Sequence, residues 1–151
     1  MSGERKFRYR LESVIKLRAA ERDALKGDLE RANDAVERKA RECDALKATI
    51  EGAERELRAL YASGAELRLD GQLRLQAYLK QQRELRRARQ TELEEASRAM
   101  MRVLSELELK VQDTKALENH RARKRRQFDE QEMRIVMNAA DEQEMRRKRD
   151  G

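Results

Sequence analysis

From Leu25, alternate steps of four and three residues land on Leu29, Ala32, Val36, Lys39, Cys43, Leu46, Ile50, Ala53, Leu57 and Leu60. Every one of these eleven positions is apolar except Lys39. A period of 3.5 held this long excludes the two-residue alternation of a half-buried strand. It demands a narrow seam facing one or two partner helices under a left-handed supercoil. Composition agrees. The chain has no Pro, no Trp and 3% aromatic residues, against 44% charged residues. That is little bulk for a compact globular core of 151 residues. Disordered segments of similar polarity are usually rich in Pro, Ser and Gly, whereas Ala, Glu, Lys, Leu, Arg and Gln dominate here, all strong helix formers.

The second half repeats the pattern less cleanly. Leu93, Ala96, Met100, Val103 and Leu107 keep the step, followed by Val111, Thr114, Leu117 and Phe128. Before Leu93 two phases compete. Leu75 and Leu79 fit one. Leu75, Tyr78 and Leu85 fit the other, which needs a four-residue slip, a stutter that unwinds the supercoil locally.

Between the halves stands YASGAELRLDGQL, residues 61–73. Ser63 to Glu66 has capping-box spacing, and Asp70-Gly71 is a turn dipeptide. Gly64 suits a helix C-terminus, and Ser63 or Asp70 suits the next N-terminus. The segment lacks the lysine of a phosphate-binding loop. The expectation is an all-α fold, a long antiparallel two-helix coiled-coil hairpin with its hinge at about 62–71. It forms a single domain over 1–151. The first helix covers about 5–62 and the second about 72–145, with a frayed C-terminal overhang. Placing Leu60 opposite Leu75 makes paired residue numbers sum to about 135, which sets Leu57 near Leu79, Cys43 near Leu93 and Val36 near Met100. The alternative is one helix running through residue 64, giving a structural coiled-coil scaffold that dimerises.

Several function classes find no support in the residues. Cys43 is the one cysteine; it falls on the seam and reads as a small buried hydrophobe. His120, the one histidine, sits among arginines and reads as solvent-exposed. No Cys/His cluster has metal spacing, and the carboxylates lie on polar helix faces, so no catalysis and no cofactor are expected. No apolar run approaches the roughly 18 residues of a membrane span, and no signal-peptide core opens the chain, so a cytoplasmic location is expected.

The net charge is +6, and it concentrates near the ends. RKFRYR (residues 5–10) and HRARKRR (residues 120–126) fall side by side in the antiparallel register. Such a field favours an acidic partner surface. A basic run after a leucine seam reverses the order of a basic-zipper protein, so nucleic acid is not the expected partner.

The ends also carry a family pattern. The chain opens F-x-Y-x-L-x-x-V-I-x-L-R-x-x-E, with Phe7, Tyr9, Leu11, Val14, Ile15, Leu17, Arg18 and Glu21. The second arm begins L-x-L-x-x-Y-L, and later reads K-A-L-E-x-x-R-x-R over Lys115 to Arg123, with Phe128 and A-A-D-E at Ala139 to Glu142. This resembles the FliJ family of flagellar type III export proteins, related to the stalk proteins of injectisomes. The resemblance covers nearly the whole chain through loose motifs, the N-terminal one being the most specific.

It implies a non-catalytic, monomeric coiled-coil stalk similar to that of rotary ATPases. Its partners would be the hexameric export ATPase, the export gate membrane protein and export chaperones. Its location would be cytoplasmic, peripheral to the inner membrane at the export apparatus, without membrane insertion. Phe7, Tyr9, Leu11, Arg18, Leu117, Glu118, Arg121 and Arg123 match the family positions at the ATPase-facing end, and the basic cluster adds Arg125 and Arg126. Tyr61, Tyr78 and Leu85 are candidates for contact with a second partner near the hinge.

Overall fold

The structure, a computed structural model, describes residues 5–63 and 69–151. Two helices account for nearly all of them: α1 (Glu12–Ala62) and α2 (Leu69–Asp150). They pack against each other as an antiparallel two-helix hairpin. The chain forms two compact units, Met1–Ala24 with Leu107–Gly151 (the terminal unit) and Leu25–Glu106 (the inner unit). Each unit holds a stretch of both helices. The physical reason lies in the architecture: each level of a two-helix layer touches only the level facing it, so nothing ties distant levels together.

In the inner unit the seam expected on α1 is the seam observed. None of its eleven positions is classed as exposed, and Cys43, Ile50 and Ala53 are buried. Ile50 and Ala53 cluster with Leu79, which is only 1% exposed, and Leu57 and Leu75 pack against them. Leu79 decides the phase of α2. Steps of three and four run from Gln72 through Leu75, Leu79, Gln82, Arg86, Arg89 and Leu93 to Ala96 without a slip. Tyr78 and Leu85 lie off this line and are exposed. The stutter is therefore absent; three polar residues, Gln82, Arg86 and Arg89, occupy seam positions instead, and their polarity hid the phase.

Two charged seam residues, Lys39 and Arg89, converge on shared carboxylates. Lys39 Nζ donates to Glu92 at 2.9 Å and to Glu42 at 3.5 Å. Arg89 reaches the same two carboxylates, Glu92 at 2.9 Å and Glu42 at 3.7 Å. The hydrogen bond with Lys39 is the main reason the Glu92 carboxyl is held below its ordinary value of 4.5, and the bond with Glu92 raises Lys39 above 10.5. Charged side chains on a seam contribute little net stability, but they penalise every register that leaves one of them unpaired. Arg83 to Glu54 at 3.0 Å fixes the same alignment nearer the connection. Residue numbers sum to 131 for Lys39 with Glu92 and to 137 for Arg83 with Glu54, bracketing the expected 135.

Element boundaries depart from expectation at three places. The helix of the first arm starts at Glu12, seven residues later than expected, because the chain before it is held on α2 by its side chains. The Glu12 amide closes the entry by donating to the Tyr9 carbonyl at 3.2 Å. At the connection, Gly64 and Glu66 lie outside the described residues. Asp70 and Gly71, expected as a turn, are in the first turn of α2, where Asp70 suits the positive end of the helix dipole. At the far end α2 continues to Asp150, with Arg147, Lys148 and Arg149 complementing the dipole in its last turn. From residue 133 onward every side chain is exposed, including Met133, Ile135, Val136 and Met137.

Candidate partner-binding site

The terminal unit is short of apolar seam residues. Ile15, 6% exposed, is its one buried hydrophobe among the described residues. Further along, Lys110 takes the seam position and Val111, expected there, is 42% exposed. The reason is the step: three from Leu107 reaches 110, and four more reaches Thr114, which is 1% exposed. Lys110 donates to Glu21 at 2.7 Å, and Arg18 donates to the same carboxylate at 3.1 Å. These two cations, Lys110 first, hold the Glu21 carboxyl below 4.5. Thr114 satisfies its hydroxyl within α2 by donating to the Lys110 carbonyl at 2.8 Å.

Aromatic residues close this unit. Phe7 and Phe128, the two phenylalanines of the chain, meet with ring centroids 5.6 Å apart, tilted by 54°. The Arg125 guanidinium stands 5.3 Å from the Phe7 ring centre, within cation–π range. Tyr9 packs against His120 with ring centroids 5.6 Å apart, and its hydroxyl is hydrogen-bonded to His120 Nδ1. His120 is therefore half-buried rather than solvent-exposed as expected. One α1 ion pair completes the set: Arg121 Nη1 donates to both carboxylate oxygens of Glu12, at 3.0 and 3.2 Å.

These contacts dictate the path of residues 5–9. Arg5 approaches Glu132 at 4.0 Å, Phe7 touches Phe128, and Tyr9 touches His120. Four residues of chain thus track twelve residues of helix, about 18 Å at ~1.5 Å per residue. Four residues fully extended reach only ~14 Å, so the segment is close to its limit and the side chains supply the rest. Exposure alternates accordingly: Phe7 and Tyr9 are half-buried, while Lys6, Arg8 and Arg10 are exposed.

The structure brings most of the expected site residues to one end. Phe7, Tyr9, Leu11, Arg121 and Arg125 surround the aromatic contacts, and Glu118 lines a groove of about 650 Å³ with Arg8, Arg121 and Arg125. Leu117 is half-buried on the seam. Arg18 sits apart, engaged with Glu21. Arg123 and Arg126 are exposed. Of the cations at this end, Arg5, Arg121 and Arg125 have carboxylate partners, Glu132, Glu12 and Asp129. Among the described residues, Lys6, Arg8, Arg10, Arg123, Lys124 and Arg126 form no ion pair.

Glu12 and the aromatic role of His120 were not foreseen. Nothing in composition marks either; only a register accurate to one residue would have set them opposite Arg121 and Tyr9. In the inner unit, Tyr61, Tyr78 and Leu85 are exposed at 55%, 41% and 37%. Tyr78 and Leu85, seven apart, share one face of α2 beside the seam. Tyr61 instead accepts a hydrogen bond from Gln76 Nε2 at 2.5 Å.

No family model, curated protein or solved structure matches the chain. Among the described residues, no three His, Cys, Asp or Glu side chains converge as a metal site requires, and no helix is long and apolar enough to cross a membrane.

Proposed function

We propose that this chain is a non-catalytic coiled-coil stalk of a flagellar-type III export apparatus. In this reading its terminal unit binds the export ATPase hexamer, and its exposed inner-unit residues Tyr61, Tyr78 and Leu85 engage the export gate or export chaperones. The reading begins with the sequence resemblance to the FliJ family. The observation that carries it is the terminal end itself. Phe7 and Tyr9, from the most specific part of the resemblance, are clamped onto the stretch of α2 that holds Arg121 and Arg123. The clamp leaves a set of cations free for a partner of opposite charge.

Arg121 and Arg125 have structural partners, so reversing them would damage the end as well as discharge it. Arg123 and Arg126 have none and are the cleaner probes. Purified chain added to a flagellar-type export ATPase is expected to raise ATP hydrolysis, in a salt-sensitive way. Arg123→Glu with Arg126→Glu is expected to weaken that effect several-fold while leaving helicity unchanged. Equal stimulation by wild type and variant would remove the terminal cations from the account. No stimulation by either would remove the stalk reading.

A further inference from the structure

The segment 5–11 divides the surface of α2 into two grooves that differ in charge. On one side the groove is lined by Arg8, Arg121 and Arg125 together with the carboxylates of Glu12 and Glu118. On the other, a groove of about 640 Å³ is lined by Arg8, Arg10, His120 and Lys124 against Phe7 and Phe128, with no carboxylate anywhere along it. Its remaining polar side chains are two glutamines, Gln127 and Gln131, and the Tyr9 hydroxyl. Arg8, Arg10 and Lys124 are exposed and have no carboxylate partner among the described residues, so their joint field favours an anionic group seated between them.

The main chain adds a second feature. Outside the helices, the backbone hydrogen bonds of the terminal unit are Glu12 to Tyr9 and Ile15 to Leu11. Among the described residues, the peptide groups of Arg5 to Arg8 thus have no backbone partner, although Phe7 and Tyr9 fix the segment in place. A nearly extended segment with free peptide groups and alternating side chains is the arrangement to which another extended chain adds as a strand.

The geometry points to an acidic, extended peptide segment of a partner protein as the occupant of this groove. Its carboxylates would meet Arg8, Arg10 and Lys124, its apolar side chains the Phe7–Phe128 faces, and its main chain the free peptide groups of Arg5 to Arg8. This deepens the proposed function and rests on the terminal end being the partner-facing end. It differs from a general attraction to charge, because Lys115, Arg123 and Arg126 are also exposed and lie outside the groove.

The test uses the full chain and an acetylated, amidated hexapeptide alternating Glu and Leu, so it does not depend on any ATPase. Two variants carry equal charge change: Arg8→Glu/Arg10→Glu/Lys124→Glu in the groove, and Lys115→Glu/Arg123→Glu/Arg126→Glu outside it. Each makes three reversals of two charges, taking the formal net charge from +6 to zero. All six side chains are exposed, and circular dichroism checks that helicity is kept.

The expected result is calorimetric binding that falls at least tenfold in the groove variant and less than twofold in the outer one. Amide shifts in the labelled chain should concentrate on residues 5–10 and 120–128. A hexapeptide of Lys and Leu should not bind. Equal losses in the two variants would reduce the site to diffuse charge and overturn the proposal. So would the absence of peptide binding, or groove-dependent binding of ATP or phosphatidylglycerol vesicles in its place. A chain that binds the peptide as expected but fails to stimulate the export ATPase would keep the groove and reject the stalk reading.

Discussion

Truncating Leu79 to alanine tests the seam at the point where the sequence was ambiguous. Leu79 is 1% exposed and packs with Ile50 and Ala53, with Leu57 and Leu75 beside them. The change removes three carbons, about 2.4 kcal/mol at ~0.8 kcal/mol for each buried methylene. In a two-helix layer the vacated space opens to solvent and collapses readily, so the cavity contribution is small. The total lies near the low end of the ~2–5 kcal/mol range for such changes.

Tyr78, one residue earlier, is 41% exposed, and Tyr78→Ala should cost below about 1 kcal/mol. Urea titrations followed at 222 nm measure both, with equal slopes confirming that the denatured states match. The expected order is Leu79→Ala far more destabilising than Tyr78→Ala. A Tyr78→Ala cost equal to or above that of Leu79→Ala would place Tyr78 on the seam, restore the four-residue slip and refute the phase derived for α2.

Gly71 stands exposed in the first turns of α2 with open space where a Cβ would project. Gly71→Ala should therefore stabilise by about 0.5–1 kcal/mol in the same titration, and a loss would return the residue to a turn. Glu21 and Glu92 titrate below their ordinary value, so the stability they contribute is present above pH 4.5 and lost as pH falls through their lowered values. Lys39 titrates above its ordinary value, so its contribution is present below pH 10.5 and lost as pH rises through the raised one. Melting temperatures should decline at both extremes, and Lys39→Met with Glu92→Gln should flatten the alkaline decline. Phe7→Ala removes a tilted aromatic pair and the Arg125 stack, contacts of about 0.5–1.5 kcal/mol each. Amide relaxation should report faster motion in residues 5–9 while α2 stays ordered; unchanged relaxation would mean that Phe7 does not clamp the segment.

The α1 seam was fully legible because one residue in eleven broke its period, and that residue, Lys39, has its own reason to be there. The antiparallel alignment was legible too, since apolar positions matched along it and Lys39–Glu92 falls within a few residues of the sum expected. The seam of α2 was obscured where Gln82, Arg86 and Arg89 stand, because hydrophobic period carries no signal through polar side chains. Val111 shows the opposite case: an apolar side chain next to a seam position looks like a seam residue, while the charge of Lys110 hides the true one. Helix propensity also overrode turn chemistry at Asp70-Gly71, where an aspartate suited to a turn suits a helix N-terminus equally well. At the candidate site, the basic run and the aromatic pattern were visible residue by residue. Their assembly was not, because Tyr9–His120 and Phe7–Phe128 depend on an extended entry that replaces the helix expected over residues 5–11.

Both walls of the terminal site come from one chain. Spin labels at Lys16 and Ala116, exposed and facing levels of the terminal unit, measure it in a Cys43→Ala background. Helices packed ~10 Å apart, with label arms added, give a separation of about 15–30 Å. That distance should persist unchanged when labelled protein is diluted tenfold with unlabelled protein. A signal that disappears on dilution, or an intrachain separation approaching the ~150 Å of a helix running continuously between the two labels, would contradict the hairpin and the site built on it.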